Sequence, residues 1–223
     1  MTRTRFHQGL DDLKQRLLIM GGLAEQAVDR AIHAYVTRDV QVSNKVLEDE
    51  KTINVMEREI DEQAVDLLAM QQPMAVDLRF LFSVIKINAD LERVGDQAVN
   101  IAERAIDMSK CPTTELPVDI ARMAALASGM VHQSLQAFIE ENAVLAQQVL
   151  ERDDVVDEMN REAFESLTRV MQSRPECTRQ ALDALIVARN LERVADHATN
   201  IAEDVIFWVR GADVRHHGVT HGG

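Results

Sequence analysis

Residues 91–103 read LERVGDQAVNIAE, and a nearly identical stretch, LERVADHATNIAE, occupies residues 191–203. Ten of the 13 positions are identical, which chance does not give in a chain of 223 residues. The likeness extends upstream at an offset of 103, where Val-Leu-Glu at 46–48 recurs at 149–151. A fixed-offset repeat of this length indicates an internal duplication. The second half of the chain is therefore a copy of the first.

Each half has the pattern of three amphipathic helices. Apolar residues at alternating spacings of three and four mark one helical face. In the first helix these are Leu10, Leu13, Leu17, Met20, Ala24, Ala27 and Ala31. In the third helix they are Leu91, Val94, Ala98, Ile101 and Ala105. Short connections favour antiparallel neighbours. The sequence therefore predicts an all-α protein of two tandem three-helix bundles related by internal duplication.

Capping and breaking residues set the predicted boundaries. Asp39 and Asn142 are predicted to cap the second helix of each half, since short polar side chains favour that position. Pro73 and Pro175 are predicted to end those helices, and Gly211 lies near the predicted end of the last one. We expect a first bundle at 1–110, a linker at 111–117, a second bundle at 118–211 and a disordered tail at 212–223.

The chain is strongly acidic, with a formal net charge of −13 and a sequence pI near 4.9. Non-specific nucleic-acid binding needs a basic surface, so we expect no nucleic-acid partner. No stretch approaches the roughly 20 apolar residues of a membrane span, and the N-terminus does not resemble a secretion signal. Cys111 and Cys177 are the only cysteines. We interpret them as reduced thiols in a cytoplasmic protein.

The third helix of each half carries a stripe of carboxylates opposite its apolar side. At about 100° per residue, these side chains fall close together on a helical wheel. The stripe comprises Glu92, Asp96, Asn100 and Glu103 in the first half and Glu192, Asp196, Asn200 and Glu203 in the second. The second helix has a similar edge: Glu50, Asn54, Glu57 and Asp61, then Asp153, Asp157 and Asn160, with Phe164 in the last place. The two kinds of stripe could face each other.

Two interpretations of these stripes stay open. Acids on an exposed helix face are usually only solvated, yet Glu92 and Asp96 repel at this spacing, by a few tenths of a kcal/mol per pair. A salt-bridged face would place Lys or Arg there, whereas the duplication repeats the repulsion. Oxygen ligands suit hard ions such as Mg²⁺, Mn²⁺ or Fe³⁺. We predict that at least one stripe binds metal; solvated stripes on a structural bundle are the alternative.

No arrangement typical of catalysis accompanies the stripes. A di-iron oxidase needs Glu-x-x-His pairs directed into the bundle core, whereas these acids face outward. Phosphate-binding loops and nucleophile motifs are lacking, so we expect no enzyme. A metal-storing or redox-active carboxylate bundle is the alternative function. His216, His217 and His221 in the tail could bind metal weakly or be solvated.

The doubled motif resembles the PhoU family of phosphate-signalling regulators. So do residues 13–23 and Gln72-Pro73 followed by Asp77-Leu78-Arg79, and the resemblance covers roughly residues 6–211. It implies two bundles side by side and surface iron or zinc clusters held by a Glu/Asp-x-x-x-Asp signature. Here that signature is Glu92 with Asp96 and Glu192 with Asp196. The implied sites are extended and completed by Asn100, Glu103, Asn200, Glu203, Glu50, Asn54, Asp153 and Asp157.

The resemblance also implies a function. PhoU-like proteins are negative regulators of phosphate uptake and of the bacterial phosphate-starvation response, and they link the phosphate-transporter ATPase subunit to a membrane sensor histidine kinase. We therefore expect a cytoplasmic metal-binding adaptor that contacts the membrane only through partners and forms a homo-oligomer, such as a dimer. Asn54 stands where the later copy has Asp157, so the two sites need not hold the same metal or number of ions.

Overall fold

The computed structural model describes residues 2–70 and 73–211, and these are almost entirely helical. The predicted tail at 212–223, with His216, His217 and His221, lies outside the described residues. Seven α-helices follow in order: α1 (Thr2–Thr37), α2 (Val40–Met70), α3 (Ala75–Ser109), α4 (Ile120–Ile139), α5 (Ala143–Leu150), α6 (Asp153–Ser173) and α7 (Thr178–Arg210). A short 3₁₀ turn, Pro175–Cys177, precedes α7.

Helices α1, α2 and α3 form the first bundle, as predicted. The side-chain oxygen of Asp39 accepts hydrogen bonds from the backbone N–H groups of Gln41, at 2.8 Å, and Val42, at 3.1 Å. This satisfies two of the N–H groups that a helix start leaves without partners. The predicted cap at Asp39 is therefore confirmed.

The second bundle differs from the prediction in one place. Asn142 caps α5, as predicted, by accepting from the N–H groups of Val144 and Leu145. The predicted single second helix, however, breaks at residues 151–152 into α5 and α6. Asp153 begins α6, and an acidic residue is favoured in a first turn, where it meets the positive end of the helix dipole. Gly211, with φ of 70°, ends α7 as predicted.

The two bundles lie side by side and share one core. Helices α3 and α7 pack against each other in opposite directions: Ser83 Oγ donates to the Asp204 carbonyl at 3.0 Å, and Arg104 lies 3.5 Å from Asp183. The apolar residues of the repeated motif are fully buried in both copies: Leu91, Val94, Ala98, Ile101, Leu191, Val194, Ala198 and Ile201. The predicted fold class is confirmed.

Although α1 and α3 are long, none of the helices within residues 2–70 and 73–211 combines the length and apolarity that crossing a bilayer requires.

Candidate metal centres

The first acidic cluster joins α2 to α3 on the surface of the first bundle. Its members are Glu50, Asn54 and Glu57 from α2 and Glu92 and Asp96 from α3. Burial, reinforced by the negative charges of Asp96, Glu57 and Glu50, raises the pKa of Glu92 above its usual range. Burial and the charge of Glu50 likewise raise the pKa of Asp96. These shifts mean that the carboxylates of the two helices lie close enough to repel one another.

Asn54 partly relieves this repulsion. Its amide nitrogen donates a hydrogen bond to Glu50 Oε1. Its amide oxygen is buried and has no hydrogen-bond partner. A buried oxygen without a donor costs free energy unless a proton or a cation reaches it. The first cluster therefore offers one amide and several carboxylate oxygens at the same place.

The second acidic cluster joins α6 to α7 in the second bundle. Its members are Asp153 and Asp157 from α6 and Glu192 and Asp196 from α7. One carboxylate oxygen from each of Asp153, Asp157 and Asp196 lies within 4.8 Å of the other two. Asp153 Oδ1 and Glu192 Oε2 are buried without a hydrogen-bond partner. Arg189 Nη1 lies 3.3 Å from the other Glu192 oxygen, Oε1.

Repulsion is stronger in the second cluster. Burial, followed by the charges of Asp157, Asp196, Asp154 and Glu192, raises the pKa of Asp153 to about 6. Burial and neighbouring acids also raise the pKa values of Glu192 and Asp196. A carboxyl with so high a pKa gains either from a proton or from a bound cation, because both cancel the like charges.

The structure brings eight of the twelve predicted ligands into these clusters: Glu50, Asn54, Glu92 and Asp96, and Asp153, Asp157, Glu192 and Asp196. The other four lie farther along α3 and α7. Asn200 Nδ2 donates to Asp90 Oδ1 at 3.2 Å, across the contact between α3 and α7. Asn100 and Glu103 line a cleft between the bundles. Glu203 is partly buried on α7.

Two features of the site lie outside the predicted ligand set. Glu57 belongs to the first cluster. Its spacing of three residues from Asn54 places it on the same edge of α2, and this spacing in the sequence could have indicated its membership. The cleft has a volume of about 1060 Å³. It is lined by Asn100, Glu103, Arg104, Asp157, Asn160, Arg161, Phe164, Leu185, Ile186, Arg189, Asn190, Glu192 and Arg193. Periodicity could not reveal it, because the cleft depends on how α3 docks beside α6 and α7.

The residues of both clusters fit a metal ion. The donor atoms are carboxylate and amide oxygens. Asp153, Asp157 and Asp196 hold their carboxylate oxygens close together, and each cluster has at least one buried oxygen that accepts no hydrogen bond. Such oxygen sets suit hard divalent or trivalent cations, and carboxylates also bind zinc. The chemistry that this arrangement favours is cation binding at the outer joint between two helices of each bundle.

A duplicated all-α bundle pair with one carboxylate cluster on each copy defines the class of protein. The sequence model of the PhoU domain matches residues 17–105 and again residues 120–205. The chain belongs to the PhoU family.

Named relatives and solved structures agree. A "phosphate-specific transport system accessory protein PhoU homolog" of Pseudomonas aeruginosa is 41% identical, over 97% of this chain and 90% of the relative. One of Aquifex aeolicus is 35% identical over 96% of this chain and 97% of the relative. The crystal structure of PhoU from Pseudomonas aeruginosa has a TM-score of 0.89 at 38% identity, covering 93% of this chain and all of that one (100%). The crystal structure of the phosphate transport system regulatory protein PhoU from Streptococcus pneumoniae has a TM-score of 0.86 at 26% identity, covering 94% of this chain and 99% of that one.

Proposed function

We propose that the protein is a negative regulator of phosphate uptake and of the phosphate-starvation response. It acts as an adaptor between the phosphate-transporter ATPase subunit and a sensor histidine kinase. The observation that carries this proposal is the PhoU domain match in both halves, together with relatives that are named accessory proteins of the phosphate-specific transport system. Those relatives align over 97% and 96% of this chain.

Metal binding is part of the proposal. The two acidic clusters would each hold a cation, with iron or zinc favoured by the family resemblance and manganese or magnesium by the oxygen donors. A cation shared by α2 and α3, or by α6 and α7, would fasten the outer helix of each bundle to its inner one. The proposed consequence is a fixed outer surface on which partner proteins dock. The adaptor is proposed to act as a homodimer.

The regulatory role is tested in cells. We would delete the gene and measure a reporter of phosphate-starvation genes at high phosphate. The expected result is a derepressed reporter that the wild-type gene silences again. A reporter that stays silent in the deletion strain would refute negative regulation.

The adaptor role is tested with purified proteins. We would measure binding of the protein to the ATPase subunit and to the cytoplasmic part of the kinase, before and after EDTA treatment. Binding to both partners is expected. Binding to neither would refute the adaptor role, and binding that EDTA does not alter would refute only its dependence on metal.

Metal binding itself is tested by mass spectrometry of untagged protein beside a variant carrying Asp96→Ala and Asp196→Ala. We expect one or a few ions per cluster in the wild type and their loss in the variant. No metal in the purified protein, and none after reconstitution, would refute metal binding. Tens of ions per chain would instead support the alternative of a metal-storing bundle.

A further inference from the structure

The cleft between the bundles has a charge unlike that of the rest of the chain. Four arginines and three carboxylates line it, so its local formal charge is positive in a chain of net charge −13. The arginines are Arg104, Arg161, Arg189 and Arg193, and the carboxylates are Glu103, Asp157 and Glu192. Each guanidinium has five N–H donors, so an ion pair with one carboxylate leaves donors for another anion. The cleft therefore offers several anion-binding groups at one place.

Apolar side chains form another part of the cleft wall. Phe164, Leu185 and Ile186 line it, and Phe164 is 57% exposed. A large exposed aromatic residue beside guanidinium groups is a surface on which a flat, apolar group can stack. The volume of about 1060 Å³ is at the upper end of the range for small-molecule sites. The cleft thus combines polar and apolar recognition on the scale of a small organic ligand.

The duplication supplies an internal comparison. Three cleft residues have counterparts of different character in the other copy of the repeat: Asp204 for Arg104, Asp61 for Phe164 and Lys86 for Ile186. Lys86 on α3 forms an ion pair with Asp204 on α7, which is 3% exposed. Asp61 accepts a hydrogen bond of 2.9 Å from Asn88. The side of the α3–α7 contact equivalent to the cleft is therefore closed by the pair of Lys86 and Asp204, whereas the cleft side is lined by arginines.

We propose that the cleft binds a nucleotide-like ligand, an organic polyphosphate that carries an aromatic base. Arginine forks match phosphate oxygens in a bidentate manner, and Phe164 provides the stacking surface for the base. The net charge of −13 opposes the approach of an extended acidic protein, while a small anion inside the cleft meets four arginines beside three carboxylates. The proposal is independent of the phosphate-signalling role, whereas Asp157 and Glu192 belong both to the cleft and to the second acidic cluster.

The test is calorimetric titration of the full chain with ATP in buffer containing EDTA, so that bound metal does not contribute. We expect ATP to bind, and the double substitution Arg161→Ala and Arg193→Ala to weaken binding by about tenfold or more, because two charge-assisted contacts are lost. Phe164→Ala should also weaken it. All three side chains are exposed, so the variants should fold normally, which circular dichroism melting checks.

The matched control carries Arg58→Ala and Arg93→Ala, the corresponding exposed positions of the first half. It removes the same net charge and should leave ATP affinity unchanged. Tripolyphosphate and adenosine, titrated separately, should each bind more weakly than ATP. Absence of ATP binding, or equal losses in the two double variants, would overturn the proposal. Tripolyphosphate binding as tightly as ATP would overturn the role of the aromatic base.

Discussion

The two acidic clusters occupy equivalent places in the two halves but differ where Asn54 in the first corresponds to Asp157 in the second. In the first cluster Asn54 donates a hydrogen bond to Glu50. In the second, Asp157 stands at that position, and its charge helps to raise the pKa of Asp153 to about 6. The first cluster thus neutralises part of its own charge with an amide, whereas the second depends more on a proton or a cation from outside.

Equivalent positions on the outer edges of the two bundles carry different side chains, because these residues do not enter the core and are free to change. If the clusters bind cations as proposed, single substitutions at these positions should shift the affinity of one cluster toward that of the other.

The largest effect is expected from removing the ion pair between Lys86 on α3 and Asp204 on α7. Lys86→Ile gives α3 the residue that the second copy has, and leaves the buried Asp204 carboxylate without its lysine partner. We expect the free energy of unfolding to fall by about 2–3 kcal/mol, somewhat below the cost of breaking a fully buried pair because Lys86 is partly exposed. Urea denaturation monitored by circular dichroism measures it.

The control for this experiment is a surface pair of similar length. Arg16 lies 3.0 Å from Glu59, and both side chains are about half exposed. Arg16→Ala should lower the free energy of unfolding by less than about 1 kcal/mol. If Lys86→Ile and Arg16→Ala lower the free energy of unfolding equally, burial of Asp204 does not increase the cost of losing its ion pair.

The next effect concerns cation affinity. Asp157→Asn gives the second cluster the amide that the first has at the equivalent position, and should weaken Mn²⁺ binding there by about tenfold, or ~1.4 kcal/mol, because an anionic ligand becomes neutral. Asn54→Asp should strengthen binding at the first cluster. Each is measured by competition with a fluorescent chelator after the other cluster is disabled, with Asp96→Ala or Asp196→Ala respectively. Unchanged affinities in both variants would mean that this residue does not distinguish the clusters.

A smaller effect follows from the raised pKa of Asp153. Its pKa is about 6 in the folded protein against 3.8 without perturbation, so the folded state holds this proton more strongly. The carboxylate therefore destabilises the metal-free protein above pH 6, and its protonation progressively removes that cost between pH 6 and 4. Asp153→Asn should stabilise the metal-free protein at pH 7.5, by at most ~1 kcal/mol after solvent screening.

The same comparison at pH 4.5 should show a difference between Asp153→Asn and the wild type that is only about a third of that at pH 7.5. Thermal melting in EDTA at both pH values measures the change. Glu165→Gln, an exposed position on α6, serves as the control and should have little effect at either pH. A stabilisation by Asp153→Asn that is as large at pH 4.5 as at pH 7.5 would contradict the assignment.

The smallest effect is expected where the repeated motif itself differs. Gly95 of the first copy corresponds to Ala195 of the second. A Cβ atom added at Gly95 would lie 3.1 Å from Ile53 Cδ1. Gly95→Ala should stabilise the helix because alanine has the higher helix propensity, but the close contact with Ile53 offsets part of this gain. The net increase in the free energy of unfolding should be below about 0.5 kcal/mol. Gly22→Ala, where a Cβ meets nothing within 4 Å, should gain more. Thermal melts of the two variants in the opposite order would contradict this reasoning.

The sequence predicts most of the fold, because the relevant signals are local and occur twice. The caps at Asp39 and Asn142 and the helix end at Gly211 depend on neighbouring residues alone, and the structure confirms them. The break between α5 and α6 was not predicted. No proline or glycine marks residues 151–152, and the copy in the first half, α2, is continuous there.

For the candidate site too, the sequence predicts what depends on neighbouring residues and misses what depends on how the helices pack. Residues one turn apart on a helix, such as Glu92 and Asp96, necessarily share a face, so the sequence can group them. The position of Asn200 depends instead on which helix α7 packs against, and its hydrogen bond to Asp90 on α3 has no signal in the periodicity of α7. The cleft arginines come from three helices, and their grouping likewise needs the docked structure.

The antiparallel contact of α3 with α7 relates two copies of one helix by an approximate twofold axis, which is the geometry of a symmetric dimer. Joining the copies in one chain makes that contact intramolecular, so it forms at a high effective concentration. It also removes the symmetry constraint. In a symmetric dimer each contact across the interface occurs twice, in identical form. Here the two equivalent contacts differ: Lys86 pairs with Asp204 on one side, while Ile186 and Arg104 line the cleft on the other. Fusion thus lets one interface hold a closed side and an open side at once.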